Sequence, residues 1–186
     1  MKKTVVLTVS ESKRLMAKGV VSLDAVRRCM KKGIIVVAKG STNSYVLEEL
    51  LGKPIDKYSY LSGGLKPKIR DTYAEFFFGR ERKPIPDVVL RDGKVTESLD
   101  RFSALNEMKR GDVYIKGGNA LDYRNKKVGI MIGNEVGGTI GQAMGRIVGK
   151  KINLILPIGL EKLVYEDLDV ISRKVNSGDT EGPGFW

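Results

Sequence analysis

The stretch Ile34 to Leu51, IIVVAKGSTNSYVLEELL, decides how this chain is read: a strand runs into a short Gly-Ser-Thr-Asn loop and straight on into a helix. Ile34, Ile35, Val36, Val37 and Ala38 form an unbroken apolar run, mostly β-branched, as expected of a strand covered on both faces. Lys39 and Gly40 follow at once. Gly40 offers positive φ or close approach to a ligand, while Ser41, Thr42 and Asn43 bring hydroxyls, an amide and free N–H groups. A helix N-terminus at this point favours negative charge. Two readings stay open on this segment alone: an anion-binding loop, or a tight turn with Ser41 or Thr42 as an ordinary helix cap.

Upstream, MKKTVVLTVSESKR begins like a signal peptide, but its apolar run stops after Val9 and charge returns by Glu11, which predicts a first strand over Thr4 to Val9. Helical patterns follow at Glu11 to Lys18 and Leu23 to Lys32, with Ser10 and Ser22 as N-caps and Gly33 as terminator. Downstream, Ile55 to Val95 carries Gly63-Gly64, Lys66-Pro67, Pro84, Pro86 and an Asp92-Gly93 hairpin signal. This reads as a β-rich insertion over about residues 55–96. Its run Phe76 to Phe78 reads as core or interface aromatics rather than a base-stacking platform.

Regular alternation then resumes. A helix is predicted over Ser98 to Lys109, closed by Gly111, with strands over Asp112 to Lys116, Val128 to Ile132 and Ile152 to Leu156 and a helix from Gly137 to Lys151. Strands alternating with helices imply an α/β fold: a mostly parallel sheet with helices on both faces, in a single domain over residues 1–175. Residues 176–186, NSGDTEGPGFW, read as an irregular tail.

Gly137, Gly141, Gly145 and Gly149 recur every four residues along the predicted helix, leaving one face without side chains. Each costs about 1 kcal/mol relative to alanine, so close approach by a sheet, a second helix or a ligand is expected. Packing suits Gly141, Gly145 and Gly149; an anion suits Gly137 and Gly138 at the N-terminus.

Two further strand-to-glycine loops repeat the opening theme. In IKGGNALDYRNKK, Lys116 supplies a point charge, Gly117 and Gly118 bare backbone, Asn119 an amide, and Asp122 the nearest carboxylate. Asp122 serves either proton transfer or a turn pair with Arg124. In GNEVGGTIG, Asn134 and Glu135 stand between a predicted strand and a helix, at the sheet edge where open α/β folds gather ligands. Glu135 is otherwise a first-turn glutamate favoured by the helix dipole, and Thr139 a simple cap.

Composition narrows the chemistry. With 186 residues, 41% of them hydrophobic, the chain can bury a core of its own. Cys29 is its single cysteine, so no intrachain disulfide forms and a cytoplasmic, reducing setting fits; its helical context makes it a core residue rather than a nucleophile. No histidine is present, which excludes Ser-His-Asp triads and His-ligated metal sites within one subunit and leaves carboxylates, Lys, Tyr and hydroxyls for any catalysis. The net charge of +11 is scattered in pairs such as Arg27-Arg28 and Lys150-Lys151, without a nucleic-acid motif. Nucleic-acid binding is therefore not favoured, whereas phosphorylated or carboxylated metabolites and coenzyme A would be attracted. No apolar segment is long enough to span a bilayer, and no cofactor is specified.

Taken in order, these motifs resemble a known superfamily. AKGSTNSYVLEEL looks like the phosphate loop of ribose-5-phosphate isomerases and of the sensor domains of DeoR-type repressors. KGGNALDYRNKK is similar to the isomerases' Lys-Gly-Gly-Gly loop, and GNEVGG to the Glu-containing turn of coenzyme A transferases. PIGLEKLVYEDLDVISRKV resembles a late segment of lactate-utilisation proteins of the same wider group. The resemblance covers Ile34 to Leu51 and Asp112 to Leu160 and implies a Rossmann-like fold. It also implies an anion loop at Gly40, Ser41 and Thr42 with Lys116 in contact with the ligand.

The departures limit what carries over. The isomerases' catalytic glutamate would fall nine residues after Lys116, where this chain has Asn125, and their Asp-Gly-Ala-Asp-Glu motif has no counterpart. The expectation is thus a binder of a sugar phosphate, nucleotide or acyl-coenzyme A, at Lys39, Gly40, Ser41, Thr42, Asn43, Gly117, Gly118, Asn119, Asn134, Gly137 and Gly138. If it is an enzyme of isomerase or coenzyme A transferase type, Glu135 or Asp122 is base or nucleophile and Lys116 holds or polarises the substrate. The alternatives are a non-catalytic sensing domain, which Asn125 favours, and a basic nucleic-acid binder. The glycine stripe and aromatic run point towards a homo-oligomer.

Overall fold

The computed structural model describes residues 2–61 and 85–178. Gly63-Gly64, Lys66-Pro67, Phe76 to Phe78, Pro84 and most of the 176–186 tail lie outside the described residues.

The fold is mixed α/β, built on a five-stranded sheet in the order β3-β2-β1-β4-β7. Its centre is the opening segment: β1 (Ile34–Val37) is buried along its whole length and enters α3 (Ser41–Leu51) through Ala38, Lys39 and Gly40. Beside β1, β4 (Val113–Ile115) and then β7 (Asn153–Ile155) run parallel to it. On its other side β2 (Val88–Arg91) and β3 (Lys94–Val95) form an antiparallel hairpin, with Asp92 and Gly93 both at positive φ as the Asp-Gly turn requires. The sheet is therefore mixed rather than mostly parallel. The hairpin, from the predicted insertion, belongs to the main sheet.

Strand alternation accounts for the continuous apolar run. Ile35 and Val37 join Val113 and Ile115 in one core with Ala17 and Val20 of α1 (Val9–Ser22), Val26 and Cys29 of α2 (Asp24–Lys31), and Val46, Leu47 and Leu50 of α3. Ile34 and Val36 join Tyr114 in a second core with Ala104 and Leu105 of α4 (Arg101–Glu107) and Ile140, Ala143 and Ile147 of α5 (Gly138–Gly149). A strand packed in two cores cannot alternate with polar residues. Cys29 is buried, its thiol donating to the Gly111 carbonyl at 3.3 Å, and burial pushes its pKa up, as a core role demands.

Several local expectations are overturned. Thr4 to Val9 forms no strand. Thr8 instead makes a capping box with Glu11, so the helix starts at Val9 and leaves Val5 and Val6 exposed. Ser10 and Ser22 lie inside α1, and Leu23 takes the N-cap position of α2 without a side-chain bond. In the next segment, Asp100 caps α4 by accepting from Phe102 and Ser103.

The largest correction concerns Val128 to Ile132. Only Lys127–Gly129 is extended, as β6, and it pairs antiparallel with β5 (Ala120–Asp122) in a separate two-stranded sheet. After β7 come a 3₁₀ turn at Leu160–Lys162 and α6 (Leu168–Val175), which packs on β5 and β6.

Among the described residues, no helix is long and apolar enough to cross a membrane.

Candidate functional site

Because β1, β4 and β7 are parallel, the loops that follow them emerge at one edge of the sheet. The antiparallel β2 begins at that same edge, so Asp87 joins them. Asn43 ties the first two loops together: its buried side-chain amide donates to the Ala38 carbonyl at 2.7 Å and to the Ile115 carbonyl at 3.3 Å, while Oδ1 has no partner among the described residues. Tyr60 seals the other side, its hydroxyl donating to the Val37 carbonyl and accepting from the Val88 N–H.

Gly40 differs from expectation. Its φ of 164° is ordinary extended backbone, and its N–H donates to the Tyr60 carbonyl at 3.0 Å. Open space, not backbone strain, is what glycine provides here, since a Cβ would meet nothing within 4 Å. With glycine at the N-cap, no side chain satisfies the first turn of α3, and the N–H groups of Ser41, Thr42 and Asn43 have no partner among the described residues. Ser41 is half-buried in this turn; Thr42 and Asn43 are buried.

Three lysines surround this turn and the loop after β4. Lys13 of α1 donates to Ser41 Oγ at 3.1 Å, Lys116 Nζ to the Gly117 carbonyl at 3.2 Å, and Lys162 Nζ to the Gly118 carbonyl. All three acceptors are neutral. Among the described residues none of these lysines has an ion-pair partner. Burial lowers the Lys116 pKa and the neighbouring Lys162 charge lowers it further, against the pull of Asp87. Burial and the Lys13 charge act likewise on Lys162, opposed by Glu161. Asp87 is already committed: it accepts from the Lys39 N–H at 2.6 Å and pairs with Arg101.

Gly118 is required by packing. A Cβ there would lie 2.4 Å from Val128 Cγ1 and 2.8 Å from Ile158 Cδ1, so only glycine lets the loop pass between them.

The other anticipated residues do not join this cluster. Asn119 is exposed and closes the β5–β6 unit, donating its N–H to Gly129 and accepting from Met131. Asp122 neither faces Lys116 nor pairs with Arg124. It accepts from the Asn125 N–H and side-chain amide at 2.9 and 2.8 Å and from the Leu168 N–H, bonds that hold its pKa down. Asn125 also donates to Asp167, the N-cap of α6, so it clamps a turn to a helix start.

Glu135 is exposed and has no hydrogen bond or ion pair among the described residues. It sits on a loop leaving the two-stranded sheet, because the strand before it is not part of the main sheet. Asn134 turns that loop, accepting from Val136 and Gly137, and Gly137 at φ 81° caps α5. Gly138 begins α5 and accepts no hydrogen bond from Lys13, Lys116 or Lys162 among the described residues. Among the described residues nothing packs closely on Gly145 or Gly149: a Cβ at either would meet nothing within 4 Å, and at Gly141 only the Val136 carbonyl at 3.9 Å. Ile140, Ala143 and Ile147 form the buried face instead.

Lys13 and Lys162 are the residues that sequence reasoning missed. Lys162 had a signal: it follows the third parallel strand, where the sheet edge returns to the site. Comparison with known proteins returns no matching family model, no significantly similar curated protein and no significantly similar solved structure.

Proposed function

We propose that the chain binds a small anionic metabolite carrying a phosphate group, seated between the first turn of α3 and the lysines Lys13, Lys116 and Lys162. One observation carries this reading: among the described residues, three neighbouring ammonium groups rest only on neutral oxygens beside three N–H groups that have no partner. Their mutual repulsion is what a bound dianion would relieve, in a partly dehydrated place where Coulomb attraction is stronger than in water. Sugar phosphates, nucleotides and acyl-coenzyme A all carry the group. On this reading the sheet is Rossmann-like with helices on both faces and the ligand at the carboxyl ends of β1, β4 and β7, in keeping with the resemblance to the ribose-5-phosphate isomerase and coenzyme A transferase superfamily.

The environments of Asp122 and Glu135 favour binding without chemistry at those two carboxylates, which supports a sensing role over isomerase or transferase activity. The test is thermal unfolding of the full chain in inorganic phosphate, ribose 5-phosphate and coenzyme A, at constant ionic strength. A ligand at a hundred times its Kd stabilises the fold by about 2.7 kcal/mol. A rise in Tm that Lys13→Gln and Lys162→Gln each diminish supports the seat. No rise, or equal rises in wild type and both variants, removes it.

A further inference from the structure

The Gly117-Gly118 dipeptide carries two ammonium groups on consecutive carbonyls, Lys116 Nζ on Gly117 O at 3.2 Å and Lys162 Nζ on Gly118 O. Two like charges sharing one dipeptide, both partly withdrawn from water, favour the loss of a proton from one of them. Lys116 is the better candidate. It stands at the end of β4, alongside Ala38 across the β1–β4 register and one peptide from the Asn43 bridge to Ile115. Lys162 instead feels the Lys13 charge and belongs with the charges that would hold an anion.

We propose that the ε-amine of Lys116 is a nucleophile that forms a Schiff base with an aldehyde or ketone bearing a phosphate group. The inference rests on the anion seat proposed above for the phosphate half of the ligand, whereas the amine half stands on the Lys116–Lys162 arrangement alone. The uncharged amine adds its lone pair to the carbonyl carbon, the carbonyl oxygen takes up a proton, and the carbinolamine loses that oxygen as water to leave a C=N bond. No oxidant or metal is needed, and hydrolysis reverses the step. The two N–H bonds of the amine break as the C=N bond forms, and their protons leave with the oxygen in the water.

The test treats the full chain at neutral pH with glyceraldehyde or glyceraldehyde 3-phosphate in the presence of cyanoborohydride, which reduces imines to stable secondary amines. Peptide mass mapping then locates the label. Lys116 is expected to be labelled about tenfold faster than exposed lysines such as Lys18 and Lys53. Lys162→Gln should slow the reaction of Lys116 with unphosphorylated glyceraldehyde severalfold, because removing the neighbouring charge lets the amine hold its proton; a merely accessible lysine would not respond. Uniform labelling of surface lysines, or label on Lys162 in place of Lys116, overturns the proposal. Preferred labelling of Lys116 at equal rates by the two aldehydes would support the amine and overturn the phosphate seat, so the two readings fail separately.

Discussion

Arg14 of α1 and Glu48 of α3 are joined by an ion pair whose carboxylate is almost fully buried. Glu48 also accepts from Lys57 and from the Ile55 N–H at 3.0 Å, while Arg14 reaches Glu49 at 2.8 Å. The pair fastens α1 across α3, and Lys13, the residue beside Arg14, thereby lands on Ser41. A structural bond far from the sheet edge thus sets one wall of the anion seat.

Glu48→Gln should therefore destabilise the fold by roughly 3 kcal/mol, because it removes the buried charge that Arg14 and Lys57 share and leaves Lys57 with no ion-pair partner among the described residues, although Arg14 keeps Glu49. Urea unfolding at neutral pH reads this directly.

The pH dependence has a definite sign. Burial raises the Glu48 pKa, but Lys57, Arg14 and the Ile55 N–H outweigh it and hold the group at about 2, against 4.5 for a free glutamate. A depressed carboxyl contributes stability that is fully present above the unfolded value and lost as pH falls through the folded one. Wild type should lose this contribution progressively between about pH 4.5 and pH 2, whereas Glu48→Gln should lack that part of the slope. Parallel acid titrations of the two proteins would refute the linkage.

Asn43 supplies two N–H bonds to the carbonyls of Ala38 and Ile115, the last turns of two parallel strands. Asn43→Asp replaces those donors with a carboxylate facing two carbonyl oxygens in a buried place, at a cost of about 3 kcal/mol when ionised. Repulsion and desolvation raise the pKa of the new carboxyl, so its penalty should shrink as pH falls and a proton restores one donor. The difference in unfolding free energy between wild type and variant should narrow from pH 7 to pH 4; a constant difference would show that the bridge is not the cause.

How much of this was legible depends on whether neighbours in sequence were neighbours in space. The strand Ile34–Val37, its helix and the Asp92-Gly93 hairpin are local patterns, and all three stand. Val128 to Ile132 reads as apolar and partly β-branched, but the dozen residues between it and β4, KGGNALDYRNKK, are the bare minimum for a parallel crossover and carry turn formers in place of the helix that such a crossover needs. The chain turns back on itself instead, with Asp122 and Asn125 closing the turn and Lys126 at φ 57°. That single misplacement moved the third loop to Glu135, while the loop that does reach the sheet edge carries Lys162. Lys13 had no local signal at all. Its role arises from the docking of α1 on α3 through Arg14 and Glu48.

Gly118→Ala tests how tightly the second loop is held. The added methyl would sit at 2.4 Å from Val128 Cγ1, so β6 and the Ile158 segment must move apart. Overpacking of this kind costs about 1–3 kcal/mol. Because the Lys162 ammonium rests on the Gly118 carbonyl, phosphate-induced stabilisation should fall along with the basal Tm. A lowered Tm with unchanged phosphate response would separate the packing from the seat.

Gly145 allows the opposite prediction. It lies mid-helix in α5, with regular helical backbone and nothing within 4 Å of where a Cβ would be, beside the exposed Met144 and Val148. Alanine there forfeits no contact and removes the entropic cost of glycine, so Gly145→Ala should raise stability by about 0.8–1 kcal/mol. The expectation holds if α5 presents this face to water. A loss of stability, or a stabilisation that disappears as protein concentration rises, would mean that a second copy approaches the glycine stripe closely, since only then does a methyl group have something to strike. Denaturation at two protein concentrations, with sedimentation of both proteins alongside, distinguishes the cases.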